Sequence, residues 1–175
     1  GNGTVTLNNV TFIDNHAINN ESILKGGAIY INKERGNVDI KNCTFENNVS
    51  SDFATFYNIT TIMTFYNCSM GNSTFNVKDR IKFVNDALTA NAVLRVSALK
   101  KDGTTVVIDE YKILDDGWNA AMEIAGDDDT MDDNGYERIV VDLHTDWEAN
   151  DDGQFSDDWI GGDGFKHDTI YVPAE

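Results

Sequence analysis

The sequence predicts a mainly β protein in which the coils of a parallel β-helix are followed by a small α+β unit. Two observations support this fold class. Residues 1–75 contain three segments that align with one another, and the composition changes abruptly near Asn76. The chain of 175 residues is long enough for one or two modest domains with a real core.

The aligned segments are residues 5–12, 38–45 and 63–70, which are offset by 33 and 25 residues. Each has an alternating apolar–polar stretch, then Asn, a small or apolar residue, a hydroxyl residue and a bulky apolar residue. Alternation with a period of two predicts strands, and their regular recurrence is typical of the coils of a β-helix. Stacked coils lie about 4.8 Å apart, so equivalent residues should form ladders.

One predicted ladder consists of Asn9, Asn42 and Asn67 at a shared bend. An Asn amide can satisfy backbone groups of the turn and also bond to the Asn above and below it. Cys43 and Cys68 occupy the next position on adjacent coils. They lie within reach of a disulfide, or they pack as free thiols that behave as small apolar groups.

Phe12, Phe45 and Met70 should fill the interior beyond this bend. A second strand element, residues 26–31, is echoed by residues 52–57. The interval between the first two aligned segments is longer than the next one, and a loop at residues 16–25 accounts for the extra length.

The strings GGAIYI at residues 26–31 and GNVDIKNCTFENN at residues 36–48 resemble pectate-lyase-like β-helix repeats of bacterial and archaeal adhesin-like surface proteins. The resemblance extends over residues 3–75. It implies a right-handed coil of three sheets and a secreted or cell-surface location. It leaves the activity open.

The formal net charge of −17 is unevenly distributed. Residues 1–75 carry 6 acidic and 4 basic side chains, whereas residues 76–175 carry 24 and 9, and Asn falls from 14 residues to 6. This shift indicates two structural units that meet near Asn76. Binding to nucleic acid or anionic lipid requires clusters of Lys and Arg, so the charge argues against both as partners.

No apolar stretch approaches the roughly 18 residues of a membrane helix, and no signal peptide opens the chain. Membrane insertion is therefore not expected. The chain begins at Gly1 in the middle of the repeat pattern, so we expect it to be a piece of a longer protein.

In the second half, residues 91–99 and 104–114 are strand-like and flank Asp102-Gly103, which is a strong hairpin signal. Asp115 or Asp116 can cap a short helix. Its apolar residues, in the range 118–125, recur at helical spacing.

Strands are also expected at residues 138–143 and 168–173. We assign residues 1–75 to terminal β-helix coils, residues 76–114 to a linking β-hairpin and residues 115–175 to an α/β cap with the entry strand of a following β-helix. The predicted helix and last strand resemble the start of pectate-lyase-like domains, which implies this last assignment.

An acidic loop contains the candidate Ca²⁺ ligands, namely Asp127, Asp129, Asp132 and Asn134. Their oxygen atoms suit calcium. With Gly135 at the sixth place of an EF-hand loop, however, Thr130 and Val141 occupy the first and twelfth places, where ligands are required. We expect a solvated loop and no cofactor, with an irregular calcium site as the alternative.

No catalytic pattern is evident. His16, His144 and His167 are not spaced as zinc ligands, and there is no Gly-x-Ser-x-Gly turn. Polysaccharide lyases and polygalacturonases of the similar fold carry a basic residue or clustered Asp on one strand face. The first 75 residues have no Asp pair, and their basic residues are Lys25, Lys33, Arg35 and Lys41.

Trp147, Phe155, Trp159 and Phe165 bracket a loop rich in Gly and Asp. Trp147 and Trp159 are candidate glycan contacts, because such rings can stack on a sugar. Core packing beneath the loop is the alternative, since Trp usually supplies buried area.

The leading hypothesis is a structural or adhesive segment of a large extracellular surface protein, without catalysis in this piece. Its partners would be neighbouring β-helix modules, copies of itself joined end to end, or glycans. One alternative is a non-catalytic fragment of a polysaccharide-degrading β-helix enzyme. Another is a carbohydrate-binding module.

Overall fold

A computed structural model describes residues 3–31, 36–51, 55–58, 62–78, 80–89, 91–113, 119–126, 135–148 and 168–172. Within these ranges the protein is mainly β, with sixteen strands and no helix. No helix of the described ranges is therefore long and apolar enough to cross a membrane.

The first ten strands are two to five residues long, and the later ones are mostly eight or nine residues long. They are β1 (Thr4–Asn8), β2 (Thr11–Ile13), β3 (His16–Ala17), β4 (Ile29–Ile31), β5 (Asn37–Lys41), β6 (Thr44–Glu46), β7 (Val49–Ser50), β8 (Phe56–Asn58), β9 (Ile62–Tyr66), β10 (Ser73–Val77), β11 (Arg80–Ala87), β12 (Val93–Lys100), β13 (Thr105–Lys112), β14 (Asn119–Gly126), β15 (Tyr136–His144) and β16 (Asp168–Val172).

Two six-stranded sheets contain most of these strands. Sheet 1 has the order β1-β5-β9-β11-β14-β16, and sheet 2 has the order β13-β12-β15-β10-β8-β4. Two small sheets, β2-β6 and β3-β7, complete the described fold. The neighbours β1, β5, β9 and β11 are parallel, as are β4, β8 and β10, whereas β11–β14, β10–β15, β15–β12 and β12–β13 are antiparallel.

Sheet 1 confirms the register predicted for the three aligned segments. Val5 lies opposite Val38, and Val38 lies opposite Met63. The sheet then continues into β11, where Ile81 lies opposite Met63. A fourth strand thus belongs to the same parallel series, which the sequence comparison did not detect.

In sheet 2 the predicted alignment of residues 26–31 with 52–57 is wrong by one residue. That alignment placed Ile29 opposite Thr55, but Ile29 lies opposite Phe56, and Phe56 lies opposite Phe75. A slip of one residue moves a whole strand's side chains to the other face. The observed register keeps the Phe56 and Phe75 rings inside, fully buried and stacked 4.7 Å apart.

The predicted hairpin is confirmed, because β12 and β13 pair antiparallel around a turn at Gly103, whose φ is +87°. The predicted helix over residues 118–125 is wrong. This segment forms β14, paired on one side with β11 and on the other with β16. Apolar residues there also alternate with a period of two, and two strand neighbours satisfy the backbone better than an isolated helix would.

Two other predicted strands appear as β15 and β16, with the bounds given above. The predicted loop over residues 16–25 begins later than expected, since His16 and Ala17 pair with Val49 and Ser50. The cap residues Asp115 and Asp116 lie outside the described ranges. The domain boundaries drawn from the sequence remain a prediction.

The core lies between the sheets and is rich in Phe. Phe65 is fully buried, with ring centroids 5.1–6.0 Å from those of Phe45, Phe56, Phe75 and Phe83. Of the three interior residues predicted at the aligned segments, Phe45 and Met70 are buried and Phe12 is half-buried.

Candidate functional site

A column of Asn residues follows the strands of sheet 1. Asn9, Asn42, Asn67 and Asn85 have φ values of 51–58°. Asn and Asp adopt this left-handed conformation more readily than other residues with a side chain. At Asn9, Asn42 and Asn67 the backbone N–H donates to the next strand, as from Asn42 to the carbonyl oxygen of Tyr66 at 2.9 Å.

The side chains of this column bond to one another in a single direction. Asn85 Nδ2 donates to Asn67 Oδ1 at 3.3 Å, and Asn67 Nδ2 donates to Asn42 Oδ1 at 2.8 Å. Asn42 Nδ2 then donates to Asn8 Oδ1 at 3.0 Å. The structure thus brings Asn42 and Asn67 together as the sequence places them, but the first step passes through Asn8 instead of the predicted Asn9.

A second column follows directly after the Asn residues and consists of the half-buried Val10 and the buried Cys43, Cys68 and Asp86. The side chains of Cys43 and Asp86 accept hydrogen bonds from the backbone of the preceding strand. Val10 N–H donates to Cys43 Sγ at 3.4 Å, and Cys68 N–H donates to Asp86 Oδ1 at 2.7 Å. Both cysteines are buried and free, which is one of the two states that the sequence left open.

The ionisation of this column follows from its burial. Burial raises the pKa of Cys68 to about 12, so its thiol stays neutral and is a poor nucleophile. Burial also raises the pKa of Asp86 to about 8, while hydrogen bonds from the backbone of Cys68 and Val84 act in the opposite direction. Asp86 is completely inaccessible to solvent, so it serves the fold and not a substrate.

Sequence comparison missed Asn85 and Asp86, although a signal is present. Residues 85–88 read Asn-Asp-Ala-Leu, which is the Asn-small-small-bulky pattern without its hydroxyl residue. The interval from Asn67 is only 18 residues, shorter than the two earlier ones.

The outer face of sheet 1 contains an open groove of about 350 Å³. Its lining combines two basic residues with neutral polar and acidic ones: Thr4, Asn37, Asp39, Ile62, Thr64, Tyr66, Arg80 and Lys82. At its edge, Lys41 Nζ lies 3.5 Å from Asp39 Oδ2 and 5.1 Å from the Tyr66 ring centroid. Arg80 and Lys82 lie beyond the repeat of residues 1–75, so the repeat pattern does not point to them.

Polar side chains also cross the outer face of sheet 2. Thr74 Oγ1 lies 2.7 Å from Asp142 Oδ1 and 3.0 Å from His144 Nε2. On the neighbouring strands, Arg95 is hydrogen-bonded to Glu110. Burial raises the pKa of Asp142, and the hydrogen bond from Thr74 opposes this shift.

Trp147 covers one end of this polar row. Its ring stacks on His144, with centroids 4.4 Å apart, and the Arg95 guanidinium carbon lies 4.2 Å from the indole ring centroid. The ring is thus used for contacts within the protein, which favours the packing alternative for this residue. Trp159, the other candidate glycan contact, lies outside the described residues.

The candidate calcium ligands Asp127, Asp129, Asp132 and Asn134 also lie outside the described residues. Within the ranges that the structure does describe, no group of three or more His, Cys, Asp or Glu side chains is arranged to hold a metal ion.

We compared the chain with protein-family models, curated proteins and solved structures, and none of them matched.

Proposed function

We propose that this chain is a structural or adhesive segment of a large extracellular β-helix surface protein, with no catalysis of its own. The observation that carries the proposal is the parallel, in-register pairing of β1, β5 and β9, each followed by an Asn with positive φ. Strands stacked in this way are what the coils of a solenoid require, because each coil buries its apolar face against the next. The resemblance to adhesin-like repeats adds the right-handed winding and the secreted or cell-surface location.

The side chains around the coils support a structural role. In the Asn column and the Phe cluster, like residues contact like residues on successive strands. Such columns fill the interior of the described strands with side chains and would build a stiff body. In this proposal residues 1–75 are coils, residues 76–114 link them onward and residues 115–175 cap them.

The partners in this proposal are neighbouring β-helix modules and glycans, with copies of the chain joined end to end as the alternative. The net charge of −17 disfavours nucleic acid and anionic membrane surfaces.

A second candidate function rests on the groove of sheet 1. Arg80 and Lys82 place positive charge beside Asp39, Asn37 and Thr64, a set of side chains that can hydrogen-bond an acidic sugar. This observation favours the hypothesis that the chain interacts with polysaccharide, either as a fragment of a lyase or hydrolase or as a carbohydrate-binding module.

One experiment separates these functions. The chain is incubated with neutral and uronate-containing polysaccharides, and both retention and the release of new chain ends are measured. We expect no cleavage. Retention that is lost in Arg80→Ala and Lys82→Ala, but kept in the charge-matched control Lys100→Ala, identifies the groove as the adhesive surface.

Absence of retention with every polysaccharide points to a purely structural segment. Cleavage that depends on Arg80 or Lys82 would overturn the proposal and establish an enzyme. Trp147→Ala serves as a further control, because the contacts of this ring with His144 and Arg95 predict no effect on retention.

A further inference from the structure

The first four strands expose their edges at one end of the molecule. β1 and β4 are the outermost strands of sheets 1 and 2, and β2 and β3 each lie on the same side of their partners β6 and β7. In every case the strand that follows in the series covers one edge, and the other edge is open in the part of the chain that the structure describes.

The residues exposed at this end belong to core columns. Val5 is 57% exposed, although Val38 and Met63, at the equivalent positions of the next strands, are buried to within 1%. Phe12 is likewise half-buried, whereas Phe45, stacked on it at 5.1 Å, is buried. These side chains therefore occupy interior positions that the described residues leave uncovered.

The open edges also lack the usual protection against pairing. β1, β2 and β4 contain no charged residue, and β3 contains only His16. Natural proteins usually protect an open edge with charges, Pro or a bulge. By contrast, β13, the edge strand at the other end of sheet 2, contains Asp109, Glu110 and Lys112.

The Asn column defines the chemistry of what would fit here. Each amide nitrogen donates towards the strand that precedes it, and the last acceptor is Asn8 Oδ1. A further step in the same direction would place an amide or carbonyl oxygen against Asn8 Nδ2. The Phe12 ring stacks on Phe45, and the Tyr30 ring lies tilted against Tyr57 with centroids 5.5 Å apart, so a further coil would continue these columns with apolar side chains.

The described strands of a second copy of this chain do not supply such a surface. At the far end of sheet 1, β16 runs opposite to β1, because β11 and β14 are antiparallel. At the far end of sheet 2, β13 likewise runs opposite to β4. Stacking two copies end to end would therefore break the parallel series and the Asn column.

We propose that the end face formed by β1–β4 is a docking surface for one further polypeptide coil with the same residue pattern. This coil runs parallel to β1, places an Asn with positive φ beside Asn8, and covers Val5, Leu7 and Phe12. The inference rests on the proposed structural function and names the partner that its first coil binds.

A duplicated chain tests the docking surface. Residues 5–37 are repeated immediately before Val5, which reproduces the 33-residue interval that separates Val5 from Val38. Backbone amide exchange in β1 should slow by about tenfold or more, as expected when an edge strand becomes internal. The matched control carries the same duplicate, with its copies of Leu7 and Phe12 replaced by Ser, and its β1 should exchange as in the original chain.

A substitution at the surface provides a second readout. Val5→Lys should leave the melting temperature of the original chain unchanged within about a degree, because Val5 is exposed there. In the duplicated chain the original Val5 is covered by the added coil. Lys at this position therefore buries a charge and should lower the melting temperature by several degrees. Exchange in the β12–β13 hairpin reports whether each variant is folded.

Three outcomes would overturn the inference. They are equal exchange in β1 of the duplicated and control chains, an equal effect of Val5→Lys in both backgrounds, and a dimer of the original chain in sedimentation that Val5→Lys abolishes. The last result would show that a second copy of the chain binds to the end face. None of these measurements depends on polysaccharide cleavage, so failure here is distinct from failure of the proposed function.

Discussion

The parallel and antiparallel regions of the molecule connect their strands in different ways. In the parallel region, strands β1–β10 are two to five residues long, and the bends are made by Asn, Asp or Gly with positive φ. In the antiparallel region, β12–β15 are eight or nine residues long and the β12–β13 hairpin turns at Gly103. The first region depends on contacts between side chains at its bends, whereas the second depends on long runs of backbone pairing.

The two regions also treat charge differently. In the parallel region the buried polar groups of the described residues are neutral amides, hydroxyls and thiols, up to the last step of the column, where Asp86 appears. In the antiparallel region charged pairs such as Arg95–Glu110 lie across the strands. Asp86 therefore lies where the parallel region meets the antiparallel region, on β11, which pairs in parallel with β9 and antiparallel with β14.

The largest effect is expected from the aromatic core that joins the regions. Phe65→Ala removes a fully buried ring with four aromatic neighbours and should cost about 3–5 kcal/mol in the free energy of unfolding. Phe12→Ala is the matched control, and it should cost less because Phe12 is half-buried. Urea denaturation measures both, and equal losses would contradict the assignment of the core.

The next effect concerns pH. In the folded state burial raises the pKa of Asp86 from 3.8 to about 8, so the folded chain binds this proton more tightly than the unfolded chain does. Its contribution to stability is therefore complete below about pH 4 and is lost as the pH rises through about 8. Between pH 5 and pH 9, wild type should lose on the order of 4 kcal/mol relative to Asp86→Asn, which cannot titrate.

Unfolding measured at both pH values for the two proteins tests this expectation. The comparison between wild type and Asp86→Asn removes the contributions of the other acidic residues, which both chains share. A difference in stability that does not change with pH would show that Asp86 is ionised in the fold throughout this range.

A smaller effect is expected from the Asn column. Asn42→Ala removes an exposed amide that both accepts from Asn67 and donates to Asn8, and it places Ala at positive φ, at a combined cost of roughly 1–3 kcal/mol. Asn9→Ala should cost less, because the side-chain series passes through Asn8. Asn42→Gly retains the freedom to adopt positive φ and loses only the amide. If Asn42→Gly melts at the wild-type temperature, the amide contacts contribute nothing to stability.

The smallest effect is expected from calcium. The acidic loop does not place ligands at EF-hand spacing, so melting in EDTA and in millimolar Ca²⁺ should agree within about one or two degrees. A shift of about 5 °C would correspond to roughly 1–3 kcal/mol for a chain of this size and would reveal a structural ion in the acidic half.

The fold could be predicted best where a particular residue type is favoured by a particular backbone conformation. Asn at a positive-φ bend, preceded by alternating apolar residues, located β1, β5 and β9 in their observed register. It did not reveal β11, because Asp86-Ala87 replaces the Cys-hydroxyl pair and the interval is shorter. The Asp-Gly turn likewise located the β12–β13 hairpin.

The failures have a different origin. Residues 118–125 satisfy both a helical and an alternating pattern, and only the presence of β11 and β16 on either side selects the strand. The one-residue error at Ile29 arose because Phe56 and Tyr57 are both aromatic, and only the stacked ring of Phe75 determines which one lies inside. The polar row of Thr74, Asp142 and Arg95 joins strands that are distant in sequence, so no local pattern indicates it.

The intervals between equivalent residues shorten along sheet 1, from 33 to 25 and then to 18, without any change in register. The pairing of these strands therefore does not depend on the number of residues that connect them. In the longest interval, residues 18–25 belong to no strand, and Ile18 and Ile23 are exposed. This segment is a natural place for evolution or an engineer to graft a foreign epitope, because new length added there leaves the hydrogen bonds of neighbouring strands intact.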